Sequence, residues 1–252
     1  FSKTVLLKVI QINKILFLMI LFICMTFSKT VLAEKYYQNS NNIIMSLKQQ
    51  EFIDTLYSSG YSNLITKEEF EILTASNIFE QKIFTNETKM VNESRSTSIT
   101  TNSRNLKISK ACSDRCVVTL TVIWNKLPNI KSYDLIGMRF ANTTPITINQ
   151  AYVKGSTKTM AYSNSSSSFK SSNIGFGYSV KLNNDSSYTI TTSAVVKSGG
   201  TVYGAYEHAI SNITLENSKK YSFSSLGQGS VFLFNGASIG KYDNVAGVQI
   251  SV

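Results

Sequence analysis

From Val118 onward the apolar side chains fall on every second residue. Val118, Leu120, Val122 and Trp124 share one face, Ile136, Met138 and Phe140 share another, and Ile174, Phe176, Tyr178, Val180 and Leu182 continue the alternation. A period of two lines one face of an extended strand, whereas a helix scatters such positions around its circumference. Breaks rich in Asn, Gly, Ser and Lys ("NKLPNIKS", "NNDSS", "SGG") separate these runs from "YTITTSAVV" and "TVYGAYEHAI". Further strands are expected at 212–216, 220–225, 230–234 and 245–252. Short strands punctuated in this way build antiparallel sandwiches or barrels. The fold class is therefore mainly β: an antiparallel β-sandwich, or barrel-like, domain over residues 111–252.

The chain ahead of this domain has a different grammar. Lys3, Lys8 and Lys14 precede an apolar core from Ile15 to Phe27, and Val31, Leu32 and Ala33 follow before Glu34. A basic start, a core shorter than the roughly 20 residues of a membrane span and a run of small or modest side chains describe a secretory signal over 1–33. Cleavage is expected near Ala33, leaving a secreted or surface-exposed protein. Residues 34–84 read as a short acidic helical segment. Phe52 and Leu56, with Ile53 and Tyr57, are spaced for one helix, Thr66 and Glu69 form a capping box for a second, and Ile78, Phe79, Ile83 and Phe84 suit a third. The stretch 85–105 has little apolar periodicity and much Ser, Thr and Asn, and a linker is assigned to 85–110.

Export bears on the cysteines. Cys24 lies in the signal, so Cys112 and Cys116 are the only two thiols beyond it. Secreted thiols normally pair, and a disulfide between Cys112 and Cys116 is expected as a local staple at the head of the strand Val117–Trp124. Closing so short a loop restrains the unfolded chain by roughly 2 kcal/mol in the loop-entropy view. A zinc site needs about four ligands, and His208 is the only histidine, so no metal site and no cofactor are assigned.

Charge divides along the same boundary. Residues 34–93 hold nine acids and five bases, while residues 94–252 hold sixteen bases and six acids. A cationic exported domain is drawn to anionic cell-wall polymer, glycan or acidic membrane surface. No basic run with interleaved aromatics points to sequence-specific nucleic-acid binding. The acidic front segment is expected to dock as a cap on the basic body through Phe52, Leu56, Phe70 and Leu73. The stretches "WNKLPNIKSYDLIGMRF" (124–140) and "LKQQEFIDTLYSSGYSNLITKEEFEIL" (47–73) resemble segments of exported proteins of unknown function from low-GC Gram-positive bacteria. That resemblance implies a bacterial secreted protein and carries over no site residues.

Catalytic patterns are sparse. "GASIG" (236–240) satisfies G-x-S-x-G with Ser238 as the candidate nucleophile, but the elbow needs a helix after it, and "KYDNVAGVQI" reads as turn and strand. His208 also precedes Ser238, against the hydrolase order, so a Gly-rich hairpin turn is expected there. Asp134, Glu207 and Asp243 are the carboxylates available for a glycosidase pair. Asp134 shares the alternating face of Ile136, Met138 and Phe140, which makes it either a buried acid needing partners or a residue before the strand starts. His208 reads as an ordinary strand residue and Trp124 as a core anchor. The resulting assignment is an exported non-catalytic β-sandwich that binds an anionic surface, wall polymer or glycan. The alternatives are a membrane-active toxin, for which the 174–182 alternation is the candidate lipid-facing strand, and a secreted hydrolase.

Overall fold

The structure is a computed structural model that describes residues 72, 78–85, 103–224, 231–243, 245 and 247–252. The signal over 1–33, the first two helices of the front segment and its docking residues Phe52, Leu56, Phe70 and Leu73 lie outside the described residues. Two antiparallel sheets face each other. The first has seven strands: β1 (Ile78–Thr85), β2 (Arg104–Cys112), β3 (Arg115–Trp124), β10 (Tyr188–Lys197), β6 (Ala151–Gly155) and β7 (Thr159–Tyr162) in that order, with β5 (Pro145–Ile148) also paired to β10. The second has five, in the order β14 (Val248–Ser251), β11 (Thr201–Glu207), β4 (Tyr133–Ala141), β9 (Gly175–Lys181) and β8 (Phe169–Ser172). Neither sheet closes into a barrel.

The alternation read from the sequence is what holds the sheets together. Leu106, Ile108, Val118, Leu120, Val122, Trp124 and Ile190 of the first sheet meet Ile136, Met138, Phe140, Phe176, Tyr178, Val180, Val202 and Ile250 of the second in one buried cluster. Full burial of side chains of this size stabilises by roughly 1.5–3 kcal/mol each, so this interface is the main favourable term.

The second sheet is covered on its outer face as well. Between β11 and β14 the chain runs through the single-turn helix α1 (Leu215–Ser218) and the hairpin β12 (Tyr221–Phe223) and β13 (Phe232–Phe234). Tyr221, Phe223, Phe232 and Tyr242 from this excursion pack with Leu135 and Ala205 of the sheet. Glycine makes the close approach possible. Gly137 and Gly177 are cross-strand partners, and a Cβ at Gly137 would stand 2.9 Å from Phe232 Cζ and 2.2 Å from the Phe176 carbonyl oxygen. Tyr221, Phe232 and Phe223 also stack edge-on or tilted against one another, which orients the hairpin.

Three expectations are corrected. Ile78–Thr85 is not helical but an edge strand, paired with β2 from Ile78↔Cys112 to Thr85↔Asn105. Its apolar spacing fits a helix, but a segment this short gains too little from local bonds, and the open edge of β2 offers a full backbone ladder. The linker assigned to 85–110 therefore overlaps strand at both ends, since Thr85 closes β1 and Arg104 opens β2. The strand expected at 212–216 is replaced by α1, because the Thr214 hydroxyl accepts the Asn217 amide at 3.2 Å and caps a helical turn. The front segment also touches the body: Ile72, in helical conformation, packs on Val117 and Val195 at the outer face of the first sheet.

Filling the glycine contact should disturb the outer layer selectively. Gly137→Ala is expected to cost about 1–3 kcal/mol through overpacking. Chemical denaturation would read the loss, and near-ultraviolet dichroism would show altered packing of the hairpin aromatics.

Candidate functional site

Four strand ends meet at one end of the sandwich and bring charged residues into its interior. Arg104 opens β2 and is the cross-strand partner of Trp124, which closes β3. Asp134 lies at the start of β4, and Tyr206 near the end of β11 pairs with Ile136. Alternation points Asp134 and Tyr206 inward with the core residues. Asp134 has no solvent exposure. Its carboxylate accepts from the Tyr206 hydroxyl and from the Ala209 amide at 2.9 Å, and it is bonded to His208 Nδ1 at 2.9 Å. The Trp124 indole donates to the same Tyr206 oxygen at 3.1 Å.

A second carboxylate completes the network. Asp243 accepts from Arg104 Nη1 at 2.6 Å and from the His208 backbone amide at 3.0 Å. The Arg104 guanidinium lies over the rings of Trp124 and Tyr206, 5.3 and 5.1 Å from their centroids. Burial opposes the Arg104 charge, but the Asp243 carboxylate, aided by Tyr206 and Glu207, outweighs it and raises the pKa. Burial and the neighbouring Asp134 charge raise the Tyr206 phenol well above its ordinary value, so it stays a donor.

This arrangement clamps a chain excursion. Asp134 holds residues 208 and 209 where the chain leaves β11, and Asp243 sits where the chain returns. Between these feet, Ile210 donates to the Lys241 carbonyl at 2.9 Å, Asp243 to the His208 carbonyl at 3.1 Å, and Ala209 bridges to Tyr242. His208 is thus a member of a buried hydrogen-bond network, not the ordinary strand residue expected. Glu207 points the other way, accepting from the Val245 amide at 3.1 Å. Asp134 and Asp243 are brought together around His208, but both are spent on internal partners.

Ser238 is buried in a 3-10 turn (Gly236–Ser238), not a hairpin turn, and its hydroxyl donates to the Asn217 carbonyl. It makes no bond to His208 among the described residues. β9, the candidate lipid-facing strand, lies between β4 and β8 in its sheet and is buried from Gly175 through Val180. Cys112 and Cys116 are disulfide-bonded cross-strand partners, with Cα atoms 4.1 Å apart, and close the β2–β3 hairpin inside the main core. Among the described residues no three His, Cys, Asp or Glu side chains converge as metal ligands.

The surface above the buried network is basic. Lys126 and Lys131 lie between β3 and β4, Lys154 near the end of β6, Lys158 just before β7 and Lys181 at the end of β9. The Ser156 turn and the loop from β9 to β10 are tied together by Asp185, which accepts from the Ser156 hydroxyl and amide, the Thr157 amide and hydroxyl, and the Ser186 amide. Gly155 leaves room for this carboxylate, since a Cβ there would lie 1.9 Å from Asp185 Oδ2. The Ser156 hydroxyl, helped by these amides, holds the Asp185 pKa down at about 2. Alternation of apolar residues does not reveal this interlock, although "NNDSS" and "GST" are turn signals.

No protein-family model matches the chain, and no curated protein matches it. Among solved structures it is similar to the pilus backbone (RrgB) from Streptococcus pneumoniae, at 10% sequence identity and a TM-score of 0.27. That match covers 39% of this chain and 26% of the pilus protein. The chain thus spans about a quarter of that protein's length, and a likeness at this level says nothing of what the chain does.

Two outcomes check the site. Asp243→Ala leaves Arg104 buried without its counter-ion and should cost about 3–5 kcal/mol in denaturant unfolding, far more than a surface substitution. The Asp185 carboxyl should titrate near 2 rather than at its ordinary 3.8 when followed by carboxyl carbon shifts. Because the folded value is depressed, its contribution to stability is present above the unfolded value and is lost as pH falls from there through about 2.

Proposed function

We propose that this chain is an exported, non-catalytic β-sandwich that adheres to an anionic surface polymer or acidic membrane through the lysine-bearing loops at one end. The observation that carries this reading is how charge is distributed between core and surface. Of the fifteen bases from 103 to 252, Arg104, Lys110 and Arg139 are buried, and of the six acids Asp134, Glu207 and Asp243 are buried. Twelve bases outside the core then face three acids, Asp114, Asp185 and Glu216. At the loop end Asp185 is occupied by five donors, leaving the lysines as the dominant charge there. Exposed charges act over about a Debye length, ~8 Å at physiological salt, so lysines grouped on adjoining loops reinforce one another at a polyanionic surface.

The non-catalytic part of the reading is supported by the internal commitment of Ser238, His208 and the two network carboxylates. The bacterial secreted origin implied by the resemblance of 47–73 and 124–140 accords with a role at a cell surface. Replacing Lys126, Lys131, Lys158 and Lys181 together with alanine tests the reading. Each lysine near an anionic surface contributes about 1 kcal/mol, so binding to vesicles containing phosphatidylglycerol should weaken by two to three orders of magnitude. Raising salt should weaken the wild type much more than the variant. Equal binding by both proteins, or no binding by the wild type, would remove the proposal.

A further inference from the structure

The end of the sandwich opposite the lysine-bearing loops holds an open groove of about 420 Å³. Its lining comes from the turns after β4, before β9 and after β10, with Phe140 and Ile174 as the apolar part and Asn142, Asn173, Lys197 and Thr144 around them. The volume lies within the roughly 300–1,000 Å³ of small-molecule sites. We propose that this groove binds one acidic sugar residue, with the carboxylate on Lys197 and the ring hydroxyls on the two amides.

The groove is built rather than incidental. The Phe140 amide donates to the Ile174 carbonyl at 2.8 Å, the Thr143 hydroxyl to the Lys197 carbonyl at 2.5 Å, and the Lys197 amide to the Thr144 carbonyl at 3.3 Å. These bonds fix the three turns to one another. Asn142 takes a left-handed conformation (φ 56°) that asparagine tolerates better than other side-chain-bearing residues, and a Cβ on Gly200 would stand 2.5 Å from the Ala141 carbonyl oxygen. A site whose backbone is already set loses little entropy when a ligand arrives.

Thr143 and Ser198 are bonded to the backbone, but the groups assigned to the sugar are uncommitted. Among the described residues no hydrogen bond or ion pair engages the Lys197 ammonium or the Asn142 and Asn173 amides, and all three residues are exposed. Each primary amide offers both donors and an acceptor, which suits a sugar hydroxyl that does both. The lining holds one cation and no carboxylate, and the nearby Asp114 is engaged by Arg115 at 3.3 Å and by Ser113. Phe140 is buried and forms only the floor, so the half-buried Ile174 beside the amides is what meets the C–H face of a pyranose, and the lone ammonium selects a ring bearing an acid. An extended peptide would instead need a free strand edge, which these turns do not present.

This site is separate from the lysine-bearing end, so its failure leaves the adhesion reading standing, and the reverse also holds. Isotope-labelled full chain would be titrated with methyl glucuronide, methyl galacturonide and N-acetylneuraminic acid at millimolar concentration, with methyl glucoside as the neutral control. At least one acidic sugar should shift the amide signals of 142–144, 173–174 and 197–198, and the glucoside should bind at least tenfold more weakly. Lys197→Ala should lose about tenfold in affinity for the acidic sugar, the worth of one charge-assisted contact, while its amide spectrum stays folded elsewhere. Asn173→Ala should weaken acidic and neutral sugars alike. No shift with any acidic sugar, equal binding of the glucoside, or unchanged affinity in Lys197→Ala would each overturn the assignment.

Discussion

The chain beyond β11 depends on a buried network in which the Arg104–Asp243 ion pair is joined by Asp134, Tyr206 and His208. Two carboxylates are drawn into a β-sandwich, where an unpaired charge is strongly disfavoured. They are retained because each finds several donors: hydroxyl, imidazole and amide for Asp134, guanidinium and amide for Asp243. Aromatic rings close the network off from water, with Trp124 edge-on to both Tyr206 and His208. A buried network of this kind adds little net stability over a hydrophobic replacement, but it is directional. It fixes where the chain leaves the second sheet and where it returns.

That directionality matters because the described residues of the excursion, 209–224 and 231–242, form a third layer. Its aromatics need a flat sheet face to lie on, and Gly137, Gly175 and Gly177 supply one. Phe223 reaches to within 2.8 Å of a Cβ position on Gly175, and the Tyr221 hydroxyl to within 2.7 Å of that on Gly177. The clamp and the glycine floor are therefore complementary: one positions the ends of the excursion and the other receives its middle. With β4 and β9 buried along nearly their whole length, the second sheet lies between the first sheet and the outer layer.

The two ends of the sandwich differ in chemistry. At one end the acids are turned inward or occupied, and lysines remain on the loops. At the other, the hairpin disulfide and the bonded turns after β4 and β10 frame a groove with amides and a single ammonium, and Cys116 Sγ lies 3.8 Å from the Ser198 hydroxyl beside it. Loops held by a rigid scaffold are where binding residues concentrate. The proposed adhesive end and the proposed sugar groove would together suit attachment to a glycan-bearing anionic surface.

The sequence by itself determined the strands whose pairing is dominated by burial. Alternation at 118–124, 136–140 and 174–182 marks β3, β4 and β9, since a strand with one apolar face toward a partner sheet leaves a period of two in the chain. It also paired Cys112 with Cys116, and it left Asp134 as either a buried acid needing partners or a residue ahead of the strand, a choice the structure makes in favour of burial. Only the tertiary structure decided the rest. β1 exists because β2 has an open edge, and pairing across eighteen intervening residues overrides a helix-compatible spacing. The partners of Asp134 come from residues 206–209, more than seventy positions away. Asp243 and Arg104 are 139 residues apart. Such contacts depend on which strand ends meet in space, a property of sheet order and packing that no local pattern records.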